Sequence, residues 1–170
     1  IMRPAGVTVD RNFINPNAGN SLQFANGSSF EFRSRVRDDL ETLRSTTAGR
    51  QMLQSIDDAA RPVADGGKGN SITLEELQNV ENGFASTPTN DVYRNALGQN
   101  GAGGDATISY NPAMNASMPG TGATPPVVIL FHEFAHAYNF VAGNGVNGTY
   151  QNGADAVDAL VVAVDGRVVL

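Results

Sequence analysis

The sequence predicts a small α+β domain in which helices pack on a small sheet. Two segments in the first third of the chain and one near its end have the apolar spacing of helices. Between them, one short segment alternates β-branched and aromatic residues, which is typical of a strand. The chain has 170 residues, 41% of them apolar, which suffices for one core. We therefore expect a single domain over residues 1–170, with residues 1–29 as a loosely ordered lead-in.

The helices follow from apolar stripes. Phe32, Val36, Leu40 and Leu43 recur at helical spacing and predict a surface helix. A second helix is expected over 48–60, with Thr46 or Thr47 as its N-terminal cap and Pro62 just beyond its end. The third begins after the proline-rich approach and runs to Gly143. We expect the first two helices to pack against each other.

The strands are fewer and shorter. The alternation in Ala106–Tyr110 predicts a strand that stops at Asn111-Pro112, and a short strand is expected within 22–25. Residues 72–82 fit either a strand or a helix, 112–126 read as a loop, and the apolar C-terminal segment 159–170 resembles a hairpin.

Composition excludes several classes of function. Eleven Lys and Arg residues against 17 Asp and Glu residues give a net charge of −6, which repels phosphate backbones and anionic lipid, so we expect no nucleic acid partner. No apolar run approaches the roughly 20 residues of a spanning helix, and the N-terminus lacks the apolar stretch of a signal peptide. The absence of cysteine excludes disulfides, thiol catalysis and cysteine-bound metal. A metal site would use His, carboxylate or backbone oxygen ligands.

One motif carries recognisable chemistry. His132-Glu133-Phe134-Ala135-His136 lies in an apolar helical run and contains both histidines of the chain. Residues four apart share a helix face, so the two imidazoles can bind one cation, while Glu133 lies to the side. Zn²⁺ lowers the pKa of a bound water to roughly 7, and a neighbouring carboxylate can then act as general base. The competing interpretation is two histidines satisfied within the core.

A tetrahedral catalytic zinc needs a third protein ligand. No Glu follows Glu133, and the downstream carboxylates are Asp155, Asp158 and Asp165. As candidates for the third ligand, Asp158 and Asp155 rank nearly equal and ahead of Asp165, because a glycine-rich loop precedes them and can return the chain to the helix. Either could equally be an ordinary loop carboxylate. Tyr150, in the same loop, could donate a hydrogen bond to the oxyanion, whereas Tyr138 fits the core better.

The motif and its surroundings resemble the NleD-like zinc metallopeptidases, which bacteria deliver as effectors or carry as toxin domains. The likeness rests on residues 131–139, on Ile108-Ser109-Tyr110-Asn111-Pro112, and on the helical stretch 40–59. It implies a zincin-like metalloprotease fold in which His132 and His136 bind Zn²⁺, Glu133 is the catalytic acid and base, and the substrate is a protein or peptide.

The resemblance further implies secretion or translocation from a bacterium into a target cell. It also implies that Ala106–Tyr110 is the edge strand along which an extended substrate lies. One departure is clear: the family's third ligand is expected to be a downstream Glu followed by Arg, and this chain has none.

The alternative class is a non-catalytic binding module, either a zincin that has lost its third ligand or a calcium module. Residues 65–76 resemble part of an EF-hand loop, with Asp65 at position 1 and Glu76 at position 12. Gly67 and Gly69 stand where side-chain oxygens are needed, however. The simpler interpretation is a capping box formed by Thr73 and Glu76.

Overall fold

A computed structural model describes residues 22–78, 83–118 and 122–146. The helices are α1 (Phe30–Ser45), α2 (Thr47–Ala60) and α3 (Pro126–Ala142), with a short 3-10 turn at Val63–Asp65. The strands are β1 (Leu22–Phe24), β2 (Ile72–Glu76), β3 (Gly83–Ser86), β4 (Ala106–Tyr110), β5 (Ala116–Met118) and β6 (Gly122–Thr124). The described part of the chain is thus α+β, as predicted. None of its helices is long and apolar enough to cross a membrane.

Four strands form one mixed sheet in the order β1-β2-β4-β3. The first three are parallel to one another and β3 runs antiparallel to β4, with Gly83 opposite Tyr110. Parallel neighbours need a long crossover, which α1 and α2 supply between β1 and β2. β5 and β6 form a separate hairpin within the segment that was expected to be a loop. Strands of three residues are too short to show a period in the sequence.

The helices cover one face of the sheet. Along β2 and β4, the buried side chains Ile72, Leu74, Ala106, Ile108 and Tyr110 alternate with more polar ones. α3 packs on β3 and β4, whereas α2 packs against α1 and α3. The opposite face carries polar pairs, including Ser109 with Glu75. One core therefore lies between the sheet and three helices.

The first two helices form as their sequences predict. Phe32, Val36, Leu40 and Leu43 are the buried residues of α1, and Thr46 caps α2 by accepting a hydrogen bond from the Gly49 backbone N–H. The hydroxyl of Ser29 caps α1 by accepting from the Phe32 N–H. Glu76 in turn accepts hydrogen bonds from the backbone and hydroxyl of Ser29, which lower the pKa of this carboxyl. The predicted capping box at Thr73 is wrong, because both its residues lie in β2 and Glu76 supports the start of α1 instead.

A buried polar contact ties α1 to the sheet. The Tyr110 hydroxyl, at the end of β4, donates a 2.7 Å hydrogen bond to Asp39 Oδ2 on α1. Burial raises the pKa of both groups, and the neighbouring carboxylate also contributes to the rise at Tyr110. The phenol therefore stays protonated and remains the donor.

Replacing Tyr110 by Phe should lower the free energy of unfolding by about 1–3 kcal/mol, because the half-buried Asp39 carboxyl loses its donor while the ring stays in place. Urea unfolding monitored by circular dichroism measures this difference. Ser86→Ala, on the exposed side of β3, serves as the control with a change below about 0.5 kcal/mol. A Tyr110→Phe protein as stable as the wild type would contradict the assigned contact.

Stability should also depend on pH through Asp39. Burial raises its pKa above the ordinary value of 3.8, so the folded state holds this proton to a higher pH than the unfolded chain does. Below pH 3.8 the Asp39 carboxyl is protonated in both states and does not destabilise the fold. As pH rises from there through the folded-state pKa, the free energy of unfolding falls.

Asp39→Asn removes this titration and still offers Tyr110 an acceptor. The stability of the variant relative to wild type should grow from about pH 4 upward and then level off above the folded-state pKa. Urea titrations across that range test the sign. A difference that shrinks as pH rises would contradict it.

Candidate functional site

The His-Glu-x-x-His motif lies in the middle of α3. Pro126 occupies the first turn, where its missing N–H costs no hydrogen bond, and Gly143 ends the helix in the left-handed conformation at φ 68°. Most other residues of the central turns are buried, among them Leu130, Phe134 and Ala137. The two histidines are only half-buried, as are Phe131 and Tyr138 beside them on the helix.

The two imidazoles converge on one point. Their Nε2 atoms are 3.0 Å apart, and the ring centroids are separated by 4.7 Å with an interplanar angle of 75°. Two nitrogens this close share one hydrogen bond, so one donates and the other accepts. The side chains thus already hold the arrangement in which two Nε2 lone pairs can meet a common cation.

Glu133 lies to the side of the histidine pair, with its stem against the sheet. It follows His132 by one residue, which is about 100° around the helix. Only 5% of its surface is exposed. A Cβ atom added at Gly83, the first residue of β3, would lie 3.2 Å from Glu133 Cγ and 3.1 Å from Ile129 Cγ2. The missing side chain of Gly83 therefore lets β3 approach the Glu133 stem closely.

The edge strand beside this helix is β3, not β4 as the resemblance implied. β4 (Ala106–Tyr110) pairs with β2 on one side and β3 on the other, so it is a central strand and the expected edge role is wrong. Alternation reports which face a side chain takes and not whether its strand has neighbours. β3 lies at the end of the four-stranded order, and its Phe84 is 52% exposed.

The predicted third ligand and oxyanion donor lie outside the described residues. These are Asp155 or Asp158 for the ligand and Tyr150 for the donor, and the predicted C-terminal hairpin lies there too. Within the described ranges no group of three His, Cys, Asp or Glu side chains is placed to hold a metal ion. Tyr138 packs against the core, as expected.

The calcium interpretation finds no support in the geometry. Asp65 ends the 3-10 turn, whereas Glu76 ends β2 and bonds to Ser29 at the start of α1. The last five positions of the presumed loop form an extended strand, Ile72–Glu76. An EF-hand loop instead curls around its ion and leads into a helix at this point.

Two residues near the motif carried no sequence prediction. Gly83 gives no local signal, because its role depends on an approach between two distant segments. Asn139 could have been noticed: it is a polar residue seven after His132, in a run that is otherwise apolar. It is 1% exposed.

Fold and site together define a small α+β domain with a paired-histidine helix packed beside the last strand of a mixed sheet. Peptidase family M91, described as effector proteins, matches residues 20–163. The chain belongs to this family of effector peptidases, which confirms the peptidase and effector part of the expected resemblance. No curated protein matches the chain.

Substituting Gly83 should disturb the contact between β3 and α3. Gly83→Ala places a methyl group against Ile129 and Glu133 and should lower the free energy of unfolding by about 1–3 kcal/mol, as overpacking does. Gly83→Val should cost more. Thermal and urea unfolding measure both changes. Ser86→Ala, on the same strand, is the control; Gly122→Ala would not serve, because the positive φ of Gly122 strains any other residue. Equal stability of Gly83→Val and wild type would refute the close approach.

Proposed function

We propose that the chain is a zinc-dependent endopeptidase that cleaves proteins by activating water. The observation that carries the proposal is the convergence of the His132 and His136 Nε2 atoms, which are 3.0 Å apart on α3. The carboxylate residue Glu133 directly follows His132 on the same helix. Because the chain belongs to a peptidase family, peptide hydrolysis is the reaction that we assign to the His132-Glu133-His136 arrangement.

The residues present fit a zinc ion. Imidazole nitrogen is a preferred zinc ligand, and two nitrogens at about 2.0–2.1 Å from a tetrahedral ion lie about 3.3 Å apart. The observed separation is within a few tenths of an ångström of that value, so zinc binding needs a small rotation of the rings and a shift of the shared proton from Nε2 to Nδ1. Asp158 or Asp155 would be the third ligand, with Asp165 as the remaining downstream carboxylate.

Glu133 would move the proton in the reaction. When bound, zinc would lower the pKa of the attacking water to about 7 and polarise the scissile carbonyl. The Glu133 carboxylate takes a proton from the attacking water and passes it to the nitrogen of the leaving amine. Its buried stem against Gly83 limits the positions that the carboxylate can take. Tyr150 would donate a hydrogen bond to the developing oxyanion.

The substrate would lie along β3. An extended peptide can add to the end of a sheet through main-chain hydrogen bonds, and β3 is the terminal strand of the four-stranded order beside α3. Phe84 is exposed on this strand and offers apolar surface to a substrate side chain. Because the family consists of effector proteins, the substrate would be a protein of the cell that the effector enters after its translocation from a bacterium.

The proposal predicts that metal binding and catalysis can be separated. Glu133→Gln keeps the shape of the side chain but cannot accept the proton, so hydrolysis should fall by about 10²–10⁴-fold while zinc is retained. His136→Ala should lose both. Zinc content is measured by elemental analysis, and cleavage by mass spectrometry of new termini in a peptide library prepared from cell extract.

The third ligand is found with the same assay. Asp158→Asn and Asp155→Asn should differ, and the variant that loses zinc identifies the ligand. A wild-type protein that binds no zinc after reconstitution would overturn the proposal and leave the non-catalytic module. Full cleavage by Glu133→Gln would overturn the assigned role of Glu133.

A further inference from the structure

Asn139 is a buried polar residue whose surroundings do not satisfy it. It lies on α3, three residues after His136 and seven after His132, and therefore on the same helix face as both. It is 1% exposed, and in the described part of the chain neither its Nδ2 nor its Oδ1 has a hydrogen-bond partner. Buried side-chain amides without partners are rare, because their desolvation is not compensated.

The position of this amide relates it to one histidine. Side chains on a helix lean toward its N-terminus, so a residue covers the turn that precedes it. Asn139 therefore covers the turn of His136, and His136 in turn leans toward His132, where the two Nε2 atoms meet. This lean directs the amide toward the side of His136 that is turned away from His132.

A histidine that binds a metal through Nε2 carries its proton on Nδ1. Such a ring almost always donates this N–H to a fixed oxygen, which sets its orientation and tautomer. We propose that Asn139 is a positioning residue for His136: its Oδ1 accepts the Nδ1–H when Nε2 binds zinc. The proposal rests on the zinc site of the proposed function. This bond would give the buried Asn139 oxygen the partner that it lacks among the described residues.

The Asn139→Leu variant distinguishes this role from a structural one, because two readouts should move in opposite directions. Zinc affinity, measured by competition with a chromophoric chelator, should fall by about 10- to 100-fold. The melting temperature of the metal-free protein should rise by roughly 2–4 °C, because an apolar side chain replaces an unpartnered amide. A merely structural asparagine would instead lower the melting temperature and leave the affinity unchanged.

Asn144→Leu is the matched control. Its Oδ1 is also buried without a partner in the described residues, but it lies beyond Gly143, after the helix has ended. The variant removes the same chemical group away from the histidines, so its zinc affinity should equal that of the wild type.

The hydrogen bond also has a direct spectroscopic signature. The chain has only two histidines, so ring ¹⁵N NMR of the zinc-loaded protein gives two sets of signals, and through-bond correlations from each ring to its own backbone resonances assign them. The His136 Nδ1–H should be protected from exchange in the wild type and lose that protection in Asn139→Leu.

Unchanged zinc affinity in Asn139→Leu, or an Nδ1–H that remains protected there, would overturn the positioning role and leave the zinc site intact. Failure of the wild type to bind zinc would instead overturn the proposed function, and this inference with it. The two failures are therefore distinguishable.

Discussion

The structure depends on the way α3 packs across the end of the sheet. This helix packs against β3, β4, α1 and α2, and buried residues occupy most of its circumference. A helix that is apolar nearly all round can be stable only inside a core. His132 and His136 are among the residues of this helix that remain partly exposed. The packing that holds the helix in the core therefore leaves both imidazoles partly accessible to solvent.

The C-terminal end of α3 is fixed by distant segments. The last carbonyls of a helix lack partners within it, and here long loops supply them. The backbone N–H of Gly104 donates to the Phe140 carbonyl, and Asn70 Nδ2 donates to the Val141 carbonyl at 3.0 Å. Gly101 donates to the Gly143 carbonyl just past the helix end. The glycine-rich loop before β4 thus holds the turn that follows His136, and this limits how the histidine pair can shift.

Local patterns in the sequence were enough to predict the helices and the strand β4. The stripe from Phe32 to Leu43 and the cap at Thr46 depend on neighbours within one or two turns, so the sequence reports them directly. The order of the strands depends on which segments meet in space. That is why Ala106–Tyr110 was expected at the edge but lies inside the sheet, and why Glu76 bonds to the capping residue Ser29, 47 residues earlier in the chain.

The same distinction applies to the site. The spacing of His132, Glu133 and His136 is local, and the structure brings the two imidazoles together as that spacing implies. The environment of Glu133 is not local, because it is made by Gly83 on a strand 50 residues earlier. A carboxylate that must exchange protons with a substrate needs a defined position more than an open one. The sequence specifies the spacing of these three residues, but only the packing of β3 on α3 defines where the Glu133 stem stands.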